Sequence, residues 1–303
     1  MNFNVLPFFE HGQYFKFLIF ILTFLLPPVI LLSLIAVIKS RVLIMRLTFC
    51  FILTCSVILF WARFCEPYLI KIQRSNLDIG IDVKIALISD LHLGLFKNER
   101  FLCQIVDRIN EEEIDMVLIA GDLTYWPEKY GIDDLFLPFE NFRIPVYAVL
   151  GNHDVKKPGP EIRTEMEAAL KKYNVHLLNN NLIEFENFTL AGLGSKWNGE
   201  DDVSILNSIS GRKKIIVLTH NPDTAFKYRK RMPDITLCGH LHGGQIRIPF
   251  LYKKVMPSKY GFDTGMNIKN NSKIYISAGT GEVGLPMRFL NPPVIDILNC
   301  TSQ

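Results

Sequence analysis

Apolar residues fall along this chain in two regimes. Residues 17–38 run without a charge, and residues 42–62 carry only Arg46, near their start. Each run approaches the ~20 residues a helix needs to cross a bilayer. Lys39-Ser40-Arg41 between them is long enough only for a tight connector. The pattern predicts a membrane anchor over 1–62, a transmembrane helical hairpin with spans 17–38 and 42–62. Pro27-Pro28 would kink the first span, which a membrane helix tolerates. A cleaved signal peptide, the main alternative, would show an apolar core of ~7–15 residues and a small-residue cleavage site; neither is present. A re-entrant amphipathic insertion is the other alternative.

Past this anchor the pattern changes. Residues 63–83 are mixed and read as a juxtamembrane linker. Over 84–303 short apolar runs alternate with helical periodicity. Strands are predicted at 84–89, 116–120, 146–150, 215–218, 234–238, 273–277 and 294–298, with a hairpin over 182–194 turning at Glu186-Asn187. Helical patterns fall at 100–113, where Phe101, Ile105 and Ile109 share a face, and at 160–172 and 203–209. Such alternation predicts an α/β fold that binds its ligands beyond the carboxyl ends of the strands.

Composition narrows the function classes. A net charge of +3 over 303 residues gives no nucleic-acid signature. The six cysteines form no CxxC pair, so a disulfide framework is not expected and a reducing compartment is favoured. A hairpin leaves both its ends on one side, together with Lys16, Arg63, Lys71 and Arg74, whereas its connector carries Lys39 and Arg41. The positive-inside rule therefore points to a cytoplasmic location for the second domain, on the inner membrane.

Candidate chemistry collects at the predicted strand ends. Asp90, His92, Asp122, Asn152, His153, His220, His240 and His242 each follow an apolar run. Five of the chain's seven histidines belong to this set, leaving only His11 and His176 elsewhere. The stretch Cys238-Gly239-His240-Leu241-His242-Gly243-Gly244 shows the logic: glycine stops the strand, and two imidazoles two apart can turn into one cleft. Carboxylate, imidazole and amide carbonyl together suit Mn²⁺, Zn²⁺ or Fe²⁺. The donors suffice for two ions sharing a carboxylate, an arrangement that clamps both oxygens of an in-line phosphoryl displacement.

Asp90-Leu91-His92, Gly121-Asp122, Gly151-Asn152-His153-Asp154, Thr219-His220 and Gly239-His240-Leu241-His242 resemble, in order, the five blocks of the calcineurin-like metallophosphoesterases. The resemblance spans about 84–299. It implies a β-sandwich flanked by helices (αββα) and a phosphohydrolase using two divalent metal ions, with Mn²⁺ first among the candidates. It assigns Asp90, His92 and His242 to one ion, Asn152, His220 and His240 to the other, and Asp122 as the bridge. His153 would protonate or stabilise the leaving group, and Asp154 would orient His153 or cap a turn. The tail, through Gly243-Gly244-Gln245, Pro257-Ser258-Lys259-Tyr260-Gly261 and Leu285-Pro286-Met287-Arg288, resembles a membrane-anchored bacterial branch that includes a chlamydial-type UDP-2,3-diacylglucosamine pyrophosphatase of lipid A biosynthesis. Pro292-Pro293-Val294 departs from that branch, which usually carries glutamate after the prolines.

For the substrate, the expectation is a membrane lipid or lipid-linked nucleotide cleaved at its diphosphate. The alternative is a general phosphodiesterase of another headgroup or envelope polymer. A non-catalytic scaffold would be expected to lack one of the ligands, and none is missing. Arg288 and Lys259 are the leading candidates for phosphate contact. Lys227 and Arg231, from a basic run placed on a helix after His220, are the second pair.

Overall fold

The structure, a computed structural model, describes residues 11–127, 131–155, 161–211 and 213–302. Helices α1 (His11–Leu22) and α2 (Leu26–Lys39) are separated by a 3₁₀ turn at Thr23–Leu25. Pro27 and Pro28 occupy the first turn of α2, where a missing N–H leaves no helix bond unmade. The prolines therefore start a helix segment. After a connector at 40–42, whose Ser40 carbonyl accepts from Arg46 Nη2 at 2.8 Å, α3 (Leu43–Phe60) runs back along α2. Two helical stretches, Tyr14–Lys39 and Leu43–Tyr68, are long and apolar enough to cross a membrane. Their outer faces are open, with Leu43 69% and Phe51 71% exposed.

The expected linker at 63–83 needs correcting. The third helix continues through a π turn at Trp61–Cys65 and a 3₁₀ turn at Glu66–Tyr68. Lys71–Asp78 then forms a strand parallel to Val294–Thr301, from Lys71 opposite Val294 to Asp78 opposite Thr301. It is an edge strand whose residues are mostly exposed, so its sequence lacks the apolar alternation of a half-buried strand.

Two six-stranded sheets make up the second domain. The first, in spatial order, contains Lys71–Asp78, Val294–Thr301, Val83–Ile88, Met116–Ala120, Val146–Val149 and Val175–Leu177. The second contains Gly265–Lys269, Ser272–Ile276, Ile235–Cys238, Lys214–Leu218, Phe188–Gly192 and Asn181–Glu184. Val83–Ile88, Met116–Ala120 and Val146–Val149 run parallel in the first sheet, as do Phe188–Gly192, Lys214–Leu218, Ile235–Cys238 and Ser272–Ile276 in the second. They are largely apolar, as strands covered on both faces must be. Val294–Thr301 is the exception, antiparallel to Val83–Ile88. Leu87, Leu118 and Val149 of the first sheet share a core with Leu190, Ile216 and Leu237 of the second. On the outer face of the first sheet lies α4 (Glu99–Asn110), which buries Phe101, Leu102, Ile105, Val106 and Ile109 at helical spacing. Arg163–Lys172 packs on the same side through Met166 and Leu170; Pro160, where that helix was expected to begin, lies outside the described residues. Leu206, Ala225 and Tyr228 cover the second sheet. The expected α/β sandwich is observed, with an α-helical layer on the outer face of the first sheet. On the second sheet, however, Val203–Ser208 and Pro222–Lys227 form 3₁₀ turns, and the basic run beyond Lys227 is not helical.

Candidate metal centre

All eight expected site residues stand just beyond the carboxyl ends of central strands, four strands contributing from the two sheets besides Met116–Ala120. Asp90, His92, Asp122, His240 and His242 all take left-handed backbone conformations, with φ between 46° and 72°. For such residues this backbone is strained and held by its surroundings, a pattern concentrated at functional sites. Glycine makes the close approach possible at two points. A β-carbon on Gly151 would overlap the Asp122 carboxylate, and one on Gly239 would overlap that of Asp90.

The side chains converge in two groups joined at one carboxylate. In the first, His92 Nε2 lies 3.0 Å from His242 Nε2 and 3.5 Å from Asp122 Oδ2, and His242 Nε2 lies 3.2 Å from Asp90 Oδ1. In the second, His220 Nε2 lies 3.2 Å from the same Asp122 Oδ2 and 3.1 Å from His240 Nδ1. All of these residues are buried. Asn152 is buried beside them, and its Oδ1 has no hydrogen-bond partner among the described residues.

These contacts gather carboxylate oxygens and ring nitrogens that can each serve as a metal ligand. The His220 Nδ1–H donates to the Ala120 carbonyl at 2.8 Å, which turns Nε2 towards the Asp122 carboxylate. Burial depresses the pKa of His92, His240 and His242, so these rings are neutral at pH 7. Burial also opposes charge on His220, yet the adjoining Asp122 carboxylate pushes its pKa up to about 9. Burial would raise Asp122 itself, but the adjoining His220 holds it well below the usual carboxylate range. Asp90 Oδ1 and His240 Nε2 also lack hydrogen-bond partners. Buried acceptors left without a donor cost free energy unless a cation meets them. The buried His/Asp clusters fit a dinuclear site for borderline divalent metals, with Asp122 shared between the two.

Beside this cluster opens a cleft of about 490 Å³. His153 lines it; the ring packs against His92 at 5.1 Å and Tyr125 at 5.3 Å, while its backbone N–H donates to Asp122 Oδ1 at 2.9 Å. Asp154 is a turn clamp, as one of its two expected roles required: it accepts from the backbone N–H groups of Gly151, Leu123 and Thr124 and from the Thr124 hydroxyl. Trp197 stands edge-on to His240 at 4.6 Å.

None of the four basic residues expected at the substrate lines this cleft. Arg288 is fully buried, and its two Nη atoms donate to the carbonyls of Ala278, Gly281 and Asn291. It is an internal strut. Lys227 is paired with Asp201, and Arg231 Nη2 bonds the Gly211 and Lys213 carbonyls. Lys259 is exposed and outside the cleft wall. Two contributors were missed. Lys16 reaches the cleft from α1, and Gln245 fixes its rim by bonding Val283 and Leu285. The only sequence signal for Lys16 is a charge near the start of an apolar helix.

Comparison with known proteins follows the same residues. The pattern of the family "Calcineurin-like phosphoesterase" matches residues 83–244. The uncharacterized metallophosphoesterase YkuE of Bacillus subtilis is 29% identical over 256 residues, covering 80% of this chain and 89% of its own length. The uncharacterized metallophosphoesterase Cj0846 of Campylobacter jejuni is 31% identical over 227 residues, covering 72% of this chain and 59% of its own length. The phosphodiesterase YaeI of Escherichia coli is 28% identical over 241 residues, with coverages of 74% and 86%. None of these names specifies a nucleotide–lipid substrate.

Proposed function

Because this chain belongs to the calcineurin-like phosphoesterase family and is a metal-dependent phosphoesterase, we propose that it is membrane-bound and hydrolyses a lipid-linked phosphate ester. The observation that carries the lipid reading is the position of the cleft: Lys16 of the first apolar helix shares its wall with Asp122, Asn152, His153, His240 and His242. The hairpin is bolted to the catalytic domain at that point. Phe20 packs on Phe96 at 5.3 Å, and the Ala62 carbonyl accepts from the Arg288 N–H at 2.9 Å. Glu66, at the end of the hairpin, accepts from the Asn291 N–H at 2.5 Å, and Asn291 Nδ2 donates to the His242 carbonyl at 2.6 Å.

In this reading Asp90, His92 and His242 would hold one divalent ion and Asn152, His220 and His240 the other, with Asp122 between them. Bound ions, Mn²⁺ foremost, supply Lewis acidity that neutralises phosphate charge and makes water acidic enough to attack. The protein supplies the rest. His153, kept neutral at pH 7 by burial, donates a ring N–H to the leaving oxygen. Tyr125 holds the rings of His92 and His153 in place, and Asp154 fixes the turn that carries His153.

The finer substrate proposal is UDP-2,3-diacylglucosamine, cleaved to UMP and 2,3-diacylglucosamine 1-phosphate on the cytoplasmic side of the inner membrane. Six free thiols and the lysine and arginine bias of the hairpin ends agree with that side. A general phosphodiesterase is the second reading, favoured by the name of the Escherichia coli relative. The test is release of UMP by the full chain with Mn²⁺ in detergent micelles. No release, with bis-p-nitrophenyl phosphate still hydrolysed, selects the second reading.

A further inference from the structure

We propose that Lys16 is a substrate-binding residue: its ammonium, carried by the first apolar helix, grips the second phosphate of a lipid-borne diphosphate while the metal centre holds the scissile one. The inference rests on the function proposed above and identifies the group that distinguishes a diphosphate from a simple diester.

A lysine within an apolar helix is costly unless its ammonium reaches water or a partner. Here the side chain leaves α1 for the catalytic cleft. Among the described residues lining that cleft, Lys16 is the only lysine or arginine. Its Nζ is so placed that a β-carbon on Gly284 would stand 3.5 Å away, and its charge reaches His153. No carboxylate, hydroxyl or carbonyl oxygen of the described residues accepts a hydrogen bond from it, whereas the other inward-facing cations are engaged. Arg63 lies over Phe20 and Phe64, each at 4.8 Å, and bonds Thr23 Oγ1. Lys97 donates to the Pro67 carbonyl at 2.7 Å, and both Nη atoms of Arg288 donate to carbonyls. An unspent point charge on a fixed helix, at the edge of a cleft built for one phosphate, suits a second phosphate.

Its position along the helix adds the lipid. Lys16 stands two residues inside the Tyr14–Lys39 span, at the end where headgroups would lie. Other parts of the cleft are apolar: Ile246, Val255, Met256, Val283 and Leu285 offer a surface for an alkyl chain. The placement is rigid, because α1 is held by Phe20 against Phe96 and by Arg63 over Phe20.

The test compares two synthetic substrates on the full chain in phospholipid nanodiscs with Mn²⁺, products being separated by chromatography. One is P¹-dodecyl P²-(p-nitrophenyl) diphosphate, with two charges; the other is dodecyl p-nitrophenyl phosphate, with one. Lys16→Met is expected to lower kcat/KM for the diphosphate about tenfold more than for the monophosphate, with the difference in KM, as loss of a charged hydrogen bond implies. Binding of dodecyl methylenediphosphonate should weaken in parallel, and Lys16→Arg should restore most of both. Equal losses on the two substrates, or unchanged diphosphonate binding, overturn the proposal while leaving the phosphoesterase reading intact. If the unaltered protein turns over neither substrate, the function proposed above fails, and this inference with it.

Discussion

Buried charge is gathered in two places in this chain, and the two are wired in opposite ways. Where the apolar hairpin meets the catalytic domain, Glu66, Lys97, Glu282 and Arg288 are all buried, and each meets its complement. Glu282 Oε1 lies 3.6 Å from Lys97 Nζ and 3.5 Å from Arg288 Nε, while Glu66 accepts from Trp61 and Asn291. In the metal centre, by contrast, carboxylates and imidazoles crowd together with no lysine or arginine among them, and Asp90 Oδ1, Asn152 Oδ1 and His240 Nε2 bond nothing among the described residues. The first network pairs opposite charges that the chain itself supplies, with Glu282 Oε1 and Arg288 Nε meeting at ion-pair rather than hydrogen-bond distance, and is structural. The second closes only around cations from outside, which makes it a functional site. The difference shows that burial of polar groups says little until donors and acceptors are matched.

That contrast can be broken from either side. The largest effect is expected at Asp122. Asp122→Ala removes the carboxylate common to both halves of the cluster, and hydrolysis of bis-p-nitrophenyl phosphate should fall at least about a hundredfold, as loss of a group that positions transition-state charge does. Activity within threefold of the unaltered protein would mean that the two halves do not work as a unit. On the other side, Glu282→Gln leaves Lys97 and Arg288 buried without their counter-charge. It should cost about 3–5 kcal/mol of stability, read as a lowered Tm, with the content of bound metal retained. Lost metal at unchanged Tm would reverse the two assignments.

A pH series gives a third, smaller effect. Burial pushes the pKa of Lys97 down from 10.5 to about 8. Between those values the unfolded chain binds a proton that the folded chain does not, so the folded state gains stability as pH rises from about 8 to 10.5. The gain from this group is about 3 kcal/mol at most, and Lys97→Met should remove that part of the slope. A slope unaffected by the substitution would place its origin elsewhere. Smallest of all is Arg74→Ala, which removes an ion pair to Glu112 at 2.7 Å with the Arg74 side chain 64% exposed. Its cost should stay below about 1 kcal/mol in chemical denaturation.

The metal centre was legible in the sequence because its residues announce themselves locally. Asp90, Asp122, Asn152 and His220 each follow a run of buried strand residues, and glycine precedes Asp122, Asn152 and His240. Parallel strands covered on both faces read as plain apolar runs, so most of the central sheet was legible too. The strand at Lys71–Asp78 was not, since an edge strand keeps its polar side chains in solvent. The substrate contacts were misread for a different reason. Sequence shows that Arg288 and Lys227 are charged, but only the fold shows that the charge of Arg288 meets carbonyls and that of Lys227 meets Asp201. Lys16 escaped because its partners in the cleft lie more than a hundred residues away, and its own neighbours are apolar. Gln245 and Asn291 likewise act through loops that no local periodicity brings together.

The most direct test of the central claim is an anomalous-difference map from crystals of the full chain grown with Mn²⁺. The account predicts two peaks ~3.5–4 Å apart, one among Asp90, His92 and His242 and the other among Asn152, His220 and His240, with the Asp122 carboxylate between them. A single peak, or two peaks that do not share Asp122, would contradict it.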